Sequence, residues 1–162
     1  MKQIMRTTAS IAAAILVAVG SAHASTVVQI SLWDKGSDIP MANDVLYGKS
    51  GLDTSKATMG IRPSPATVKA GDITFNVTND SKDTVHEMIV MYLADPAQAL
   101  PYINTENRVD EDKAGDKGEV SELDPGASGK LTVTLKPGKY LLICNVPGHY
   151  AAGMWSEFTV TP

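Results

Sequence analysis

Cysteine and histidine are scarce in this 162-residue chain, which has one cysteine and three histidines. A single cysteine excludes an internal disulfide, and the paired cysteines of structural zinc sites are missing. Basic residues are also few, with 14 Lys and Arg against 18 Asp and Glu and a net charge of −4. Nucleic-acid-binding proteins usually have a basic stripe, so the composition argues against that class.

The first 24 residues predict a cleaved signal peptide. Lys2 and Arg6 precede an apolar run from Ile11 to Val19, and Ala22-His23-Ala24 is a small-x-small cleavage pattern. The run is shorter than the roughly 20 residues that cross a bilayer, although an uncut membrane anchor is the alternative. We therefore expect a periplasmic monomer without a membrane span, formed by residues 25–162 as one domain.

Strand-like patterns predominate after residue 24. Ile73–Thr78 alternates apolar and polar residues, and Val85–Leu93 is apolar at nearly every position, as in a strand covered on both faces. Short strands and frequent turns predict an all-β fold, a Greek-key β-sandwich with antiparallel or mixed strands. At residues 95–122 we expect one long loop insertion, with a mobile, charge-rich part at Glu106–Glu119.

Metal-binding side chains are concentrated near the C-terminus. Cys144 ends an apolar strand, His149 follows after four intervening residues, and Met154 follows after four more. His86, at the start of another predicted strand, is the remaining histidine outside the predicted signal. Alternate side chains of a strand share one face, so Cys144 and His86 can both point into one end of the sandwich. Thiolate, two imidazoles and a weak thioether form the ligand set of blue-copper electron-transfer sites, which favours one copper ion.

Zinc and a catalytic cysteine are the alternatives to this interpretation. A thioether is a poor zinc ligand and a good copper ligand. A cysteine-dependent hydrolase needs a histidine in contact with the thiol, an orienting Asn or Asp and an oxyanion hole. Asn145 is near in sequence. However, a helix N-terminus would lower the pKa of a catalytic thiol, and Cys144 stands at a strand end instead.

These residues resemble the cupredoxins, the type 1 blue copper proteins. The Cys-x₄-His-x₄-Met spacing, with the sequence Ile143–His149 followed by Gly153-Met154, is similar to the rusticyanin-like group. The resemblance implies that His86, Cys144 and His149 are equatorial ligands and that the Met154 thioether is the axial ligand. It also implies that the backbone carbonyl of Val85 lies near the copper. It also implies that His149 is the exposed ring through which electrons pass, inside an apolar docking patch of Pro147, Tyr150, Ala151 and Ala152.

The chain departs from the cupredoxin pattern at residue 87. Glu87 stands where Asn or Ser often ties the two ligand loops together, and an ionised carboxylate near copper would favour Cu(II) and lower the potential. Val85, Glu87 and Asn145 are therefore candidates for groups that surround the ligands. The resemblance implies a one-electron carrier rather than an enzyme, with a c-type cytochrome or a copper oxidase or reductase as partner. Similar exported cupredoxins are linked to copper tolerance, so copper sequestration or delivery is the alternative.

Overall fold

The structure is a computed structural model that describes residues 25–162. The predicted signal peptide, residues 1–24, lies outside the described residues. Among residues 25–162, no helix has the length and apolar character needed to cross a membrane.

Strands make up most of the regular structure in the described part of the chain. In chain order they are β1 (Thr26–Asp34), β2 (Met59–Ser64), β3 (Thr67–Lys69), β4 (Gly71–Asn79), β5 (His86–Leu93), β6 (Tyr102–Ile103), β7 (Arg108–Val109), β8 (Asp116–Leu123), β9 (Ser128–Leu135), β10 (Gly138–Ile143) and β11 (Trp155–Thr161). A 3₁₀ turn spans Thr54–Lys56, and the short helix α1 spans Glu111–Ala114.

The strands form two large sheets, and β6 and β7 form one small hairpin. The first sheet has the order β2-β1-β4-β9, and the second has the order β3-β11-β10-β5-β8. Most neighbours are antiparallel, but β1 pairs with β4, and β11 with β3, in parallel. The predicted all-β sandwich with mixed strands is confirmed.

The main core lies between the two sheets. Because alternate side chains of a strand point to one face, every second residue of the facing strands enters this core. From the first sheet these residues include Val28, Ile30, Leu32, Ile73, Phe75 and Val77. From the second sheet they include Met88, Val90, Tyr140, Leu142 and Cys144. The thiol is therefore part of the core, and the predicted inward orientation of Cys144 is confirmed.

A smaller core lies on the outer face of the second sheet. The residues of β5 and β10 that point away from the sandwich are Ile89, Met91, Leu93, Leu141 and Ile143. The side chains that cover them come from three connecting segments, and they are Tyr47, Leu100, Val109 and Tyr150. As its apolar sequence predicted, β5 is buried on both faces.

The structure differs from the expected loop over part of residues 95–122. The last seven residues of that range, 116–122, belong to β8, which pairs with β5 at the edge of the second sheet. Two register shifts interrupt this pairing, so that His86 faces Leu123 while Met88 faces Val120. Such irregularities put the apolar residues of β8 three positions apart. The alternation that identifies a strand from sequence is therefore hidden.

Candidate metal centre

The strand arrangement brings His86 and Cys144 to one end of the sandwich. β5 and β10 are antiparallel neighbours, and Ile143 pairs with Ile89. The start of β5 therefore lies beside the end of β10. His86 begins β5, and Cys144 directly follows β10.

The loop between β10 and β11 returns the remaining predicted ligands to the same place. The His149 amide donates to the Val146 carbonyl at 2.9 Å, and the Met154 amide donates to the His149 carbonyl at 3.0 Å. The Cys144 amide donates to the Met154 carbonyl, also at 3.0 Å. These backbone hydrogen bonds close the loop on itself.

Three buried donor atoms converge at this end of the core. Nδ1 of His86 lies 3.2 Å from Nδ1 of His149, and Sγ of Cys144 lies 3.3 Å from the same His149 atom. All three donors lie within 4.8 Å of one another. A single ion can therefore reach all three.

The protonation of the two imidazoles suits metal binding. Burial lowers the pKa of His86, although Asp34 acts against this. Burial and the neighbouring His86 lower the pKa of His149 to about 4. Both imidazoles are therefore neutral at physiological pH, which is the form that binds metals. Burial raises the pKa of the Cys144 thiol to about 12, so an incoming ion must displace its proton.

The donor chemistry fits copper. One thiolate and two imidazoles in a plane, with a weak thioether on the axis, are preferred by copper in electron-transfer sites. The Met154 side chain is fully buried in the same core cluster as Cys144. That its sulfur is the axial ligand, and that the Val85 carbonyl lies on the opposite side, remain predictions.

Glu87 ties the two ligand-bearing strands together. Its Oε1 accepts a hydrogen bond at 2.9 Å from the amide of Asn145, the residue after the thiol. Its own amide donates to Cys144 Sγ at 3.5 Å. Burial, with smaller contributions from Glu122 and Glu111, raises the pKa of Glu87 to about 7. The side chain thus links the start of β5 to the residue that follows the thiol.

The Asn145 side chain joins the metal centre to the segment that covers the second sheet. Its Oδ1 accepts from the Val109 amide at 2.7 Å, and its Nδ2 donates to the Val109 carbonyl at 3.0 Å. Nδ2 also donates to Glu111 at 2.6 Å. With these partners, Asn145 is not available to orient His149, as an Asn would in a cysteine hydrolase.

Asp34 is a site residue that the sequence interpretation missed. It ends β1, 52 positions before His86, and its Oδ2 lies 2.8 Å from His86 Nε2. Although burial acts in the opposite direction, hydrogen bonds from Ser81 and His86 lower the pKa of Asp34. In the sequence, Asp34-Lys35-Gly36 has the composition of an ordinary turn after a strand. Nothing there signals contact with a distant histidine.

The expectation of an exposed His149 ring is wrong. His149 is 5% exposed, and Tyr150, Ala151 and Ala152 are also buried. The connection between β1 and β2 lies over this loop, because the Val45 amide donates to Ala151 at 2.9 Å. His149 instead lines a cleft of about 300 Å³.

Side chains from the covering connection form the outer rim of this cleft. Ile39 and Met41 line it and are 45% and 51% exposed. Met41 also lies close to Gly148, where an added Cβ would come within 3.3 Å of its terminal methyl. Of the predicted docking patch, only Pro147 is exposed. The exposed rim of the cleft that His149 lines is therefore formed by residues far from it in sequence.

A β-sandwich that holds one thiol and two imidazoles at one end of its core defines a class of mononuclear metal proteins. The sequence pattern described as copper binding proteins, plastocyanin/azurin family, matches residues 49–161. The chain belongs to this family, and copper is its cofactor. The resemblance to cupredoxins is confirmed.

Individual relatives agree with this assignment. A stretch of 41 residues is 56% identical to auracyanin-B of Chloroflexus aurantiacus, and it spans 25% of this chain and 17% of that protein. The fold is similar to that of reduced auracyanin from Roseiflexus castenholzii, with a TM-score of 0.52 and 24% identity over 86% of this chain and 100% of that one. It is also similar to rusticyanin from Thiobacillus ferrooxidans, with a TM-score of 0.50 and 15% identity over 86% of this chain and 80% of that one.

Proposed function

We propose that the chain is a periplasmic type 1 copper protein that carries single electrons between redox partners and is not an enzyme. His86, Cys144 and His149 would hold the copper ion, with the Met154 thioether as a fourth, weaker donor. The observation that carries the proposal is the convergence of Cys144 Sγ and two Nδ1 atoms within 4.8 Å, all buried. Bound copper supplies a one-electron couple at this position.

The surrounding chain suits electron transfer because it resists rearrangement. The ligand loop is closed by its own backbone hydrogen bonds, and Glu87 fastens it to β5. Burial excludes water from the donor atoms. A site that is held in one geometry can serve both oxidation states with little structural change, which keeps the barrier to electron exchange low.

The partner in this proposal is a redox protein such as a c-type cytochrome or a copper oxidase or reductase. The chain would act as a monomer, and the partner would approach it at the exposed rim formed by Ile39 and Met41. Without Lys2 and Arg6 of the predicted signal, the chain has 12 basic and 18 acidic residues. This negative surface favours encounter with a basic partner.

The test is to add Cu(II) to the metal-free chain and record the visible spectrum. We expect an intense thiolate-to-copper absorption that disappears on reduction and returns on oxidation. A Cys144→Ser variant is the matched control, since it removes the thiolate and keeps a side chain of similar size. A colourless protein, or a colour that persists in the control, would contradict the assignment. Stopped-flow electron exchange with a c-type cytochrome then tests the carrier role.

Copper sequestration or delivery is the second candidate, and the burial of His149 is the observation that favours it. A covered ligand lengthens the path to a partner and slows loss of the ion. Slow exchange with every cytochrome tested, together with copper-sensitive growth of a deletion strain, would support sequestration. Rapid reversible exchange would support the carrier.

A further inference from the structure

The contact between Asp34 and His86 joins the two sheets at the metal centre. Asp34 ends β1 in the first sheet, whereas His86 begins β5 in the second. Oδ2 of Asp34 lies 2.8 Å from Nε2 of His86, and the two side chains are 6% and 0% exposed. The other oxygen, Oδ1, accepts a hydrogen bond from the Gly36 amide at 2.7 Å.

This arrangement determines which ring nitrogen of His86 carries the proton. An ionised carboxylate has acceptors and no donor, so Nε2 must be the donor in this contact. In a neutral imidazole the other nitrogen then has a free lone pair. That nitrogen, Nδ1, lies 3.2 Å from Nδ1 of His149. It is thus free to bind an ion.

We propose that Asp34 is a positioning residue that holds His86 in the tautomer with an unprotonated Nδ1 and fixes the ring against the copper site. This inference rests in part on the proposed function, which names His86 as a ligand. A carboxylate on the far nitrogen of a metal-bound histidine also raises the basicity of the ligand. The contact therefore favours Cu(II) over Cu(I) and lowers the midpoint potential.

The Asp34→Asn variant separates this role from a merely structural one. The fixed Gly36 amide requires an acceptor, so the single oxygen of the variant amide is expected to face it. The NH₂ group then faces His86 Nε2 and favours the wrong tautomer, with the proton on Nδ1. An Asp34→Ala variant removes the contact without imposing either tautomer. The asparagine variant should therefore impair copper binding more than the alanine variant.

Asp83→Asn is the matched control. The Asp83 carboxylate accepts a hydrogen bond at 2.6 Å from the hydroxyl of Ser37, which lies in the connection between β1 and β2. Asp83 has no hydrogen bond to either histidine. The control changes the same charge near the same cleft. Thermal unfolding of each copper-free variant shows whether it is folded.

The first measurement is the tautomer of His86 by long-range ¹H–¹⁵N NMR of the copper-free chain. We expect the proton on Nε2 in the wild type and in Asp83→Asn, and a large shift toward Nδ1 in Asp34→Asn. A wild-type His86 with its proton on Nδ1 would overturn the proposal, whatever the variants do. This reading needs no copper, so a tautomer switch in a chain that never binds copper would contradict the proposed function alone.

The second measurement is copper affinity and midpoint potential. We expect Cu(II) affinity 10- to 100-fold lower in Asp34→Asn than in Asp83→Asn. A tenfold loss of preference for Cu(II) over Cu(I) raises the potential by about 59 mV. Equal affinities and potentials in the two variants would show that Asp34 has only a structural role.

Discussion

Replacement of Asn145 tests how the metal centre is held against the covering segment. The Asn145 side chain is 2% exposed and makes three hydrogen bonds, two of them to the backbone of Val109. Val109 itself is 1% exposed. An Asn145→Ala change therefore leaves a buried amide and a buried carbonyl without their partners. The third bond, to Glu111, is partly exposed and contributes less.

The expected cost follows from these two orphaned groups. Each buried backbone group left unsatisfied costs about 1–3 kcal/mol. Allowing for water that enters the space left by the side chain, we expect a loss of about 2–4 kcal/mol in the free energy of unfolding. At about 4 °C per kcal/mol for a domain of this size, the midpoint of thermal unfolding should fall by roughly 8–16 °C.

Urea denaturation of the copper-free chain measures this loss directly, and hydrogen exchange at the Val109 amide locates it. Asn104→Ala is the control, because Asn104 is exposed in the same covering segment. It should change stability by less than about 0.5 kcal/mol. A similar small change in Asn145→Ala, with a protected Val109 amide, would refute the reasoning.

Three further predictions concern the ligand loop and the ion. Gly153 has φ +96°, and an added Cβ would lie 2.6 Å from Ala57, whereas Gly36 has φ +97° and open space around it. In urea denaturation, Gly36→Ala should lower the free energy of unfolding by about 1–2 kcal/mol, because its backbone conformation disfavours a side chain. Gly153→Ala should lower it by about 1–3 kcal/mol more, because of the clash with Ala57. Equal losses would mean that the covering connection moves aside without cost. Met154→Leu should keep the thiolate-to-copper absorption. It should raise the midpoint potential in a redox titration, because a weak axial donor stabilises Cu(II). An unchanged potential would argue against an axial role for Met154. Removing copper with a chelator should leave the far-UV circular dichroism unchanged. The free energy of unfolding should fall by about 2.7 kcal/mol, compared with the chain in free copper at one hundred times its Kd. Loss of the β signal would show that the donors are not held in place without the ion.

Candidate metal-binding residues could be named from the sequence because their chemistry is rare. With one cysteine and two histidines after residue 24, few ligand sets are possible. The loop from Cys144 to Met154 also places three donors within eleven residues, and its shape depends on hydrogen bonds inside that loop. The structure brings His86, Cys144 and His149 together as expected.

Residues that surround the ligands could not be assigned in the same way. The sequence alone did not show that the Glu87 carboxylate accepts a hydrogen bond from the Asn145 amide and so links two strands. His149 was expected at the surface, but the connection between β1 and β2 covers it. Both outcomes depend on segments whose sequences have no distinctive pattern. Their positions follow from how the sheets pack.

Local sequence by itself indicated most of the long strands, the β-sandwich and the candidate metal donors, because alternation of apolar residues and metal-binding side chains are properties of neighbouring positions. Tertiary structure alone decided that Asp34 contacts His86, that the β1–β2 connection covers His149, and that residues 116–123 pair with β5. The physical reason is that these contacts join segments up to about a hundred residues apart, where partners are chosen by the packing of whole sheets. No pattern within one segment records that choice.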